Sequence, residues 1–485
     1  MGKTTCIRDI DWMVAWDSDT ETHRFLRDAY LLYEDDTIVD VGSGRAPGAD
    51  VIESATGRLI IPGLVDLHAH PDGELAFRGI REDHGVPSMY MTGLYERLQA
   101  FSLSEQGRLA SSEATYAELI KSGVTTVVDI SSCYAGWLPL AQRSGMRVYL
   151  APSFASARHK MTEAFRLEYD WADDDGRASY DSACALMDDV EQVANPKLRA
   201  VVSPSTMDDV SAVLLKESFA LACDKKRPYT VHASESVLEV RNMIERCGDT
   251  PIQYASKLGI LGARTILGHA LFLDRHSWID WHTDTDLTLI SNTKTNVAHC
   301  PTPFSRYGTV MEDFGKYRRA GINMGIGTDT LPANMIDEIR TATVLGRVAS
   351  RHVHGTTMAA AFHAATAGGA RALGRDDLGK LAPGAKADWV SVDLSHPYMR
   401  PVRDPLRSLI FSAGDRAVRD VVVGGQKLLA GGELLTVDHK SALASLEAAQ
   451  EQMIDAVPVH DYLGRMAEQI TPMSFPVMGG RSNQT

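Results

Sequence analysis

Residues 59–70 read LIIPGLVDLHAH. The run is apolar almost throughout and closes on two histidines, His68 and His70. A near-continuous apolar run reads as a strand buried on both faces, the kind found in parallel sheets covered by helices. Seven more such runs follow: VTTVVDI (124–130), RVYLAPSF (147–154), LRAVVSPS (198–205), YTVHAS (229–234), TILGHA (265–270), TNVAHCP (295–301) and INMGIGTD (322–329). Helical patterns lie between them, such as EATYAELIKSG (113–123) and SAVLLKESFALACDKK (211–226). Eight strand–helix repeats predict an α/β chain folded as a closed (β/α)8 barrel, the TIM architecture. An open doubly wound sheet is the alternative, but no glycine-rich dinucleotide fingerprint follows any of the runs.

The flanks differ. Residues 1–62 carry short strand patterns (AYLLYEDD, TIVDVG, DVIES, RLIIPG) separated by turn residues, without a long helical period. Residues 380–435 have the same character, in ADWVSVDL and VRDVVVGGQKLLAGGELL. The two pieces are expected to pair into one small β-sandwich domain built from both chain ends, around a barrel spanning 63–379. Residues 436–485 begin with a helical stretch, SALASLEAAQEQMIDA, and end irregularly. That segment is expected to pack on a neighbouring element or a second subunit.

A chain of 485 residues accommodates a large barrel and a smaller module. The formal net charge of −14 argues against nucleic-acid binding through the general field. Six scattered cysteines, none in a C-x-x-C pair, give no thiolate metal site or redox motif and suit free thiols in a reducing compartment. The opening MGKTTCIRDIDW has no apolar signal core, and no apolar run is long enough to span a bilayer. The expectation is a cytoplasmic protein that acts on a small molecule, without nucleic acid or membrane as a partner, and assembled as a homo-oligomer, a dimer or larger.

The chemistry gathers at the strand ends. His68 and His70 are two apart, so on a strand both imidazoles face one side and could hold one ion. His232, His269 and Asp329 each close an apolar run, the position at which barrel enzymes place catalytic groups. His232 and His269 are 37 residues apart, about one βα unit, and His269 and Asp329 are 60 apart, about two. Any one strand-end histidine could be structural; four histidines and an aspartate on strands one, five, six and eight point to a metal. Nitrogen and carboxylate ligands with an open position describe a catalytic Zn²⁺, with Mn²⁺, Fe²⁺, Co²⁺ or Ni²⁺ also compatible. Such an ion lowers the pKa of a bound water. Glu235 lies three residues beyond His232. A straight strand would turn it away, but a bend at the strand end would bring it over the metal as a proton shuttle. Read otherwise, it is a surface residue of the turn ASES.

These segments resemble the amidohydrolase superfamily. IPGLVDLHAH followed by Arg78-Gly79 looks like its entry motif, SGVTTVVD like its second strand, and LGRDDLGKLAPGAKADWVSVD (373–393) like the return from barrel to β-domain. The H-x-x-E of His232 and Glu235 is similar to the group that includes triazine hydrolase and the cytosine and guanine deaminases. That resemblance implies one divalent metal held by His68, His70, His232 and Asp329. It also implies that His269 orients the nucleophile and polarises the substrate, that Asp329 helps deprotonate the water, and that Glu235 shuttles the proton. The implied reaction is attack by metal-held hydroxide on a carbon bearing a leaving nitrogen: an amide, urea or carbamate, or a heteroaromatic amine. Dechlorination of a triazine-type ring is the alternative activity, and a barrel that serves only as a scaffold is the non-enzymatic one. Binuclear members carry a lysine at the end of strand four; here that end has Ser203 and Ser205, and Lys197 precedes the strand. HCPTPFSRYG (299–308) and GTDTLPANM (327–335) depart from the nucleoside deaminase pattern and look more like hydrolases of phenylureas or thiocarbamates. They imply a substrate other than a standard nucleoside. His299 is a candidate pocket residue or a structural one. The loop 71–95 and the acidic stretch EYDWADDDG (168–176) are candidate covers of the site.

Overall fold

The computed structural model describes residues 2–80, 89–163 and 166–477. Residues 81–88 of the candidate covering loop and the end of the tail lie outside the described residues. The chain begins with five strands: β1 (Thr4–Asp17), β2 (Thr22–Glu34), β3 (Thr37–Ser43), β4 (Val51–Ser54) and β5 (Arg58–Pro62). Next come β6 (Leu64–Ala69), β7 (Val124–Ser131), β8 (Arg147–Phe154) and a hairpin, β9 (Ala157–Glu163) with β10 (Arg166–Trp171). The fourth apolar run is split into β11 (Leu198–Ala200) and β12 (Ser203–Pro204). Four more strands follow: β13 (Tyr229–Ala233), β14 (Thr265–His269), β15 (Asn296–His299) and β16 (Met324–Ile326). The last are β17 (Trp389–Asp393), β18 (Val418–Val423), β19 (Gln426–Ala430) and β20 (Glu433–Leu434).

All eight apolar runs supply parallel strands. β6, β7, β8 and β11/β12 form one half of the barrel, and β13 to β16 form the other. Parallel bridges close the seams: Val202 to Tyr229 and Thr206 to His232 on one side, Ala69 to Asp329 on the other. The second seam is tight. The Asp329 N–H donates to His68 O at 2.7 Å, and the His70 N–H donates to Asp329 O at 3.1 Å. The carboxylate of Asp66, fully buried, accepts from Thr328 Oγ1 (2.6 Å) and from the Thr328 N–H (3.0 Å) across the same seam.

The stretch quoted first serves two sheets, because Gly63 divides it. β5 pairs with β17 and β1, whereas β6 pairs with β7. The two chain ends form one connected nine-stranded sheet, in the order β20-β19-β18-β17-β5-β1-β2-β3, with β4 branching from β1. A buried ion pair ties it to the barrel. Asp388, just before β17, accepts from Arg147 Nε at 2.7 Å and Arg147 Nη2 at 3.0 Å, and from the Gly424 N–H at 2.7 Å. Removing one partner of a buried pair leaves an uncompensated charge, which costs about 3–5 kcal/mol. Asp388→Ala is therefore expected to lower unfolding stability by about that amount in a denaturant titration; a change near zero would contradict the role given to this pair.

The C-terminal helix, His439–His460, packs through Ala442 and Leu446 on Ala110 and Ala114 of the helix Glu105–Lys121. Its neighbour is thus this chain's own barrel. Among the described residues no helix is long and apolar enough to cross a membrane.

Candidate metal centre and active site

Parallel strands in a barrel all end at one mouth, so residues distant in sequence meet there. His70 Nε2 lies 3.2 Å from both His68 Nε2 and His232 Nε2. Asp329 Oδ1 lies 3.4 Å from His70 Nε2 and 3.6 Å from His68 Nε2. Four ligands at metal bonds of about 2.0–2.1 Å in tetrahedral geometry sit about 3.3 Å apart. The four separations just given fall close to that value.

The tautomers support the same reading. His70 Nδ1 donates to Ile130 O at 2.9 Å, and His232 Nδ1 donates to Ser205 O at 2.7 Å. A carbonyl only accepts, so each Nδ1 carries a proton, and in the neutral ring each Nε2 then presents a lone pair. Lone pairs of His70 and His232 facing each other at 3.2 Å, beside a carboxylate oxygen, repel unless a cation lies among them. Carbonyls that accept from the other ring nitrogen and so fix the tautomer are the usual support of metal-bound histidine. Burial pushes the His70 pKa down to about 3. Burial, and then the neighbouring imidazoles, push His68 and His269 well below the ordinary histidine value. Neutral imidazole is the form that ligates a metal.

His269, fully buried at the end of β14, joins the cluster: its ligand atom groups with those of His68 and Asp329, and with those of His232 and Glu235, within 4.8 Å. Neither of its ring nitrogens has a hydrogen-bond partner among the described residues. Its ring packs edge-on against Phe304, with centroids 4.6 Å apart. Glu235 reaches the cluster despite its unfavourable spacing from His232 because Ser234 takes φ +55° and turns the chain where the strand ends. Ala270 (φ +49°) and Asp329 (φ +58°) make the corresponding turns after β14 and β16. Non-glycine residues in the left-handed region are uncommon, and they gather where structure is held for function.

Around this cluster lies a cavity of about 340 Å³, within the range of small-molecule sites. His70, His232, Glu235 and Asp329 line it, together with Phe77 and Tyr95. The β9–β10 hairpin contributes His159, whose Nε2 lies 3.8 Å from the buried carboxylate of Asp208. Tyr169 Oη donates to Asp208 at 2.6 Å. Neither His159 nor Asp208 stands out in the sequence, since the hairpin that joins them has no catalytic motif. The acidic stretch divides in two. Tyr169 supports the cavity wall, and Asp174 accepts from the Gly176 and Ala178 N–H groups to start the helix Arg177–Gln192. His299 is not among the cavity-lining residues; it is buried and packs on Phe314. Lys197 donates to Gly145 O and Gln426 Oε1, away from the cluster, while Ser205 lends its carbonyl to His232.

Two glycines make room for His68. A Cβ on Gly268 would sit 2.5 Å from His68 Cε1, and one on Gly327 would sit 2.6 Å from His68 O. Gly268→Ala must therefore displace the imidazole. A displaced ligand ring weakens metal binding, because affinity rests on ligands held in place. The expected result is a metal content well below wild type by elemental analysis after dialysis; wild-type retention would show that His68 is not a ligand.

Comparison with known proteins places these features in context. The amidohydrolase family model matches residues 59–428. The chain is 28% identical over 435 residues to a 5'-deoxyadenosine deaminase of Methanothermobacter thermautotrophicus, covering 88% of this chain and 95% of that protein. It is 26% identical over 432 residues to a 5-methylthioadenosine/S-adenosylhomocysteine deaminase of Bacillus cereus, covering 87% and 93%. Among solved structures, an adenosine deaminase from Xanthomonas campestris with bound zinc superposes with a TM-score of 0.78 at 23% identity, covering 93% of this chain and 98% of that one. Atrazine chlorohydrolase from Arthrobacter aurescens, complexed with zinc, gives 0.76 at 22% identity, covering 92% and 100%.

Proposed function

The chain belongs to the amidohydrolase family, and on that premise we propose that it hydrolyses a non-peptide carbon–nitrogen bond of a small molecule with the help of one divalent metal ion, zinc by preference. The observation that carries this reading is the convergence of His68, His70, His232 and Asp329 at metal-polyhedron spacing with Glu235 beside them. When bound, the ion would activate water and polarise the substrate.

The side chains do the rest. His68, His70 and His232 offer ring nitrogens, two of the rings fixed by carbonyls. Asp329 completes the ligand set and can accept a proton from the water. His269, whose ligand atom lies within 4.8 Å of those of His232 and Glu235, would orient the nucleophile and polarise the substrate. Glu235 takes the proton and hands it to the departing nitrogen, which cannot leave as an anion. The strand-four end has serines rather than a lysine, which supports a single ion. The leaving nitrogen is an amino group on a heteroaromatic ring, as in the substrates that the deaminase relatives' names give, or the nitrogen of an amide, urea or carbamate.

The test is a panel of 5'-deoxyadenosine, 5-methylthioadenosine, aryl amides, phenylureas and chlorotriazines, with mass spectrometry of the products. Release of ammonia or an amine by the metal-loaded protein, absent after chelation, is the expected result. Release of chloride alone would favour the dechlorinating alternative, and no turnover of any compound would count against the reading.

A further inference from the structure

The structure assigns Glu239 as the positioning residue for Glu235; this rests on the proposed role of Glu235. Glu239 is 3% exposed and lies in the first turn of the helix Val237–Cys247. The sequence Ser236-x-x-Glu239 has the form of a capping box, in which the glutamate ordinarily returns to the backbone N–H of the cap residue itself. Here only half of that arrangement forms. Ser236 Oγ accepts from the Glu239 N–H at 3.1 Å. The glutamate reaches further back: Oε1 accepts from the Ser234 N–H at 3.0 Å, and Oε2 accepts from the Glu235 N–H at 2.7 Å.

Those two amides belong to the turn that aims Glu235. Ser234 has φ +55°, and its carbonyl accepts from the Leu271 and Phe272 N–H groups, both at 3.0 Å. The turn is thus pinned on its N–H side by Glu239 and on its C=O side by the chain leaving β14. A simple helix cap would leave residues 234 and 235 to their own preferences, and the left-handed conformation at Ser234 is not one that serine favours. Burial, and then the charge of Asp208, push the Glu239 pKa up, while the two amide donors oppose that. Placing a carboxyl there has a cost in burial, and what it secures is the direction of the Glu235 side chain.

The test is a double-mutant cycle on the metal-loaded protein, read with amide exchange. Glu239→Gln keeps the shape but turns an NH2 toward one of the two N–H groups. Misplacing a reacting group by about 1 Å can cost about 10²-fold in rate. A kcat reduced by up to about 10²-fold is expected, with KM and metal per chain little changed. In the Glu235→Gln background the same substitution should add no further loss, because residues that act as a unit are not additive. Hydrogen exchange in the peptide that spans residues 233–236 should quicken in Glu239→Gln, with or without metal. Glu239→Asp, which keeps both acceptor oxygens on a shorter arm, should fall between wild type and Glu239→Gln. Equal losses from Glu239→Gln in both backgrounds, or unchanged exchange at 233–236, would overturn the assignment. A silent Glu235→Gln alone would instead overturn the shuttle reading on which it rests.

Discussion

Asp329→Asn loses turnover by about 10⁴-fold, the upper end of what loss of general acid–base catalysis removes, while the chain stays folded. Two functions leave together. The carboxylate oxygen that lies 3.4–3.6 Å from two imidazole nitrogens becomes half of a neutral amide, a poorer ligand. The group proposed to take a proton from the nucleophile also disappears. The backbone contacts of Asp329 with His68 and His70 close the barrel seam and do not involve the side chain, so they persist. Turnover and metal retention measured on one preparation, with circular dichroism as the check on folding, decide the matter. Near-normal turnover would show that β16 does not deliver a functional group.

Glu235→Gln gives the second large effect and a different pattern. Glutamine keeps the size and hydrogen bonding of glutamate but cannot carry the proton. Loss of such a group costs about 10²–10⁴-fold in kcat. Metal content should hardly move, because the four proposed ligands are intact. The loss should also depend on the leaving group: an amine must be protonated to depart and chloride need not be, so an amide or heteroaromatic amine should suffer more than a chlorinated analogue. Wild-type turnover in a metal-loaded Glu235→Gln protein would remove Glu235 from the reaction. An equal loss for both leaving groups would assign it some task other than protonating nitrogen.

The barrel was legible in the sequence because buried parallel strands leave largely apolar runs that close on polar residues, and all eight runs became strands. The end sheet was harder. β1, its longest strand, does not alternate cleanly: Asp9 takes φ +56° and the register with β2 shifts between Ile7 and Ile10. A bulge of this kind inverts the inside–outside pattern halfway along a strand. The fourth barrel strand was broken for a similar reason, as β11 and β12 pair with β8 on either side of an interruption.

The candidate site was legible where one strand end carries one ligand. It was not legible where a side chain depends on a turn or an insertion. Glu235 has the wrong spacing for a strand and reaches the cluster only through the turn at Ser234. His159 and Asp208 are 49 residues apart in the chain and meet because a hairpin folds over the cavity. Glu239 reads as an ordinary helix-start glutamate, and only the positions of its two acceptor oxygens reveal its use. The acidic stretch 168–176 attracts notice through its charge, yet part of it does no more than start a helix.

The central claim is a single catalytic metal ion held by His68, His70, His232 and Asp329. The most direct test is to strip the protein with a chelator, return Zn²⁺ in known increments, and follow turnover and bound metal together. Activity that is absent at the start and rises linearly to a break at one ion per chain is the predicted result. Full activity in the stripped protein, or a break at two ions per chain, would contradict it.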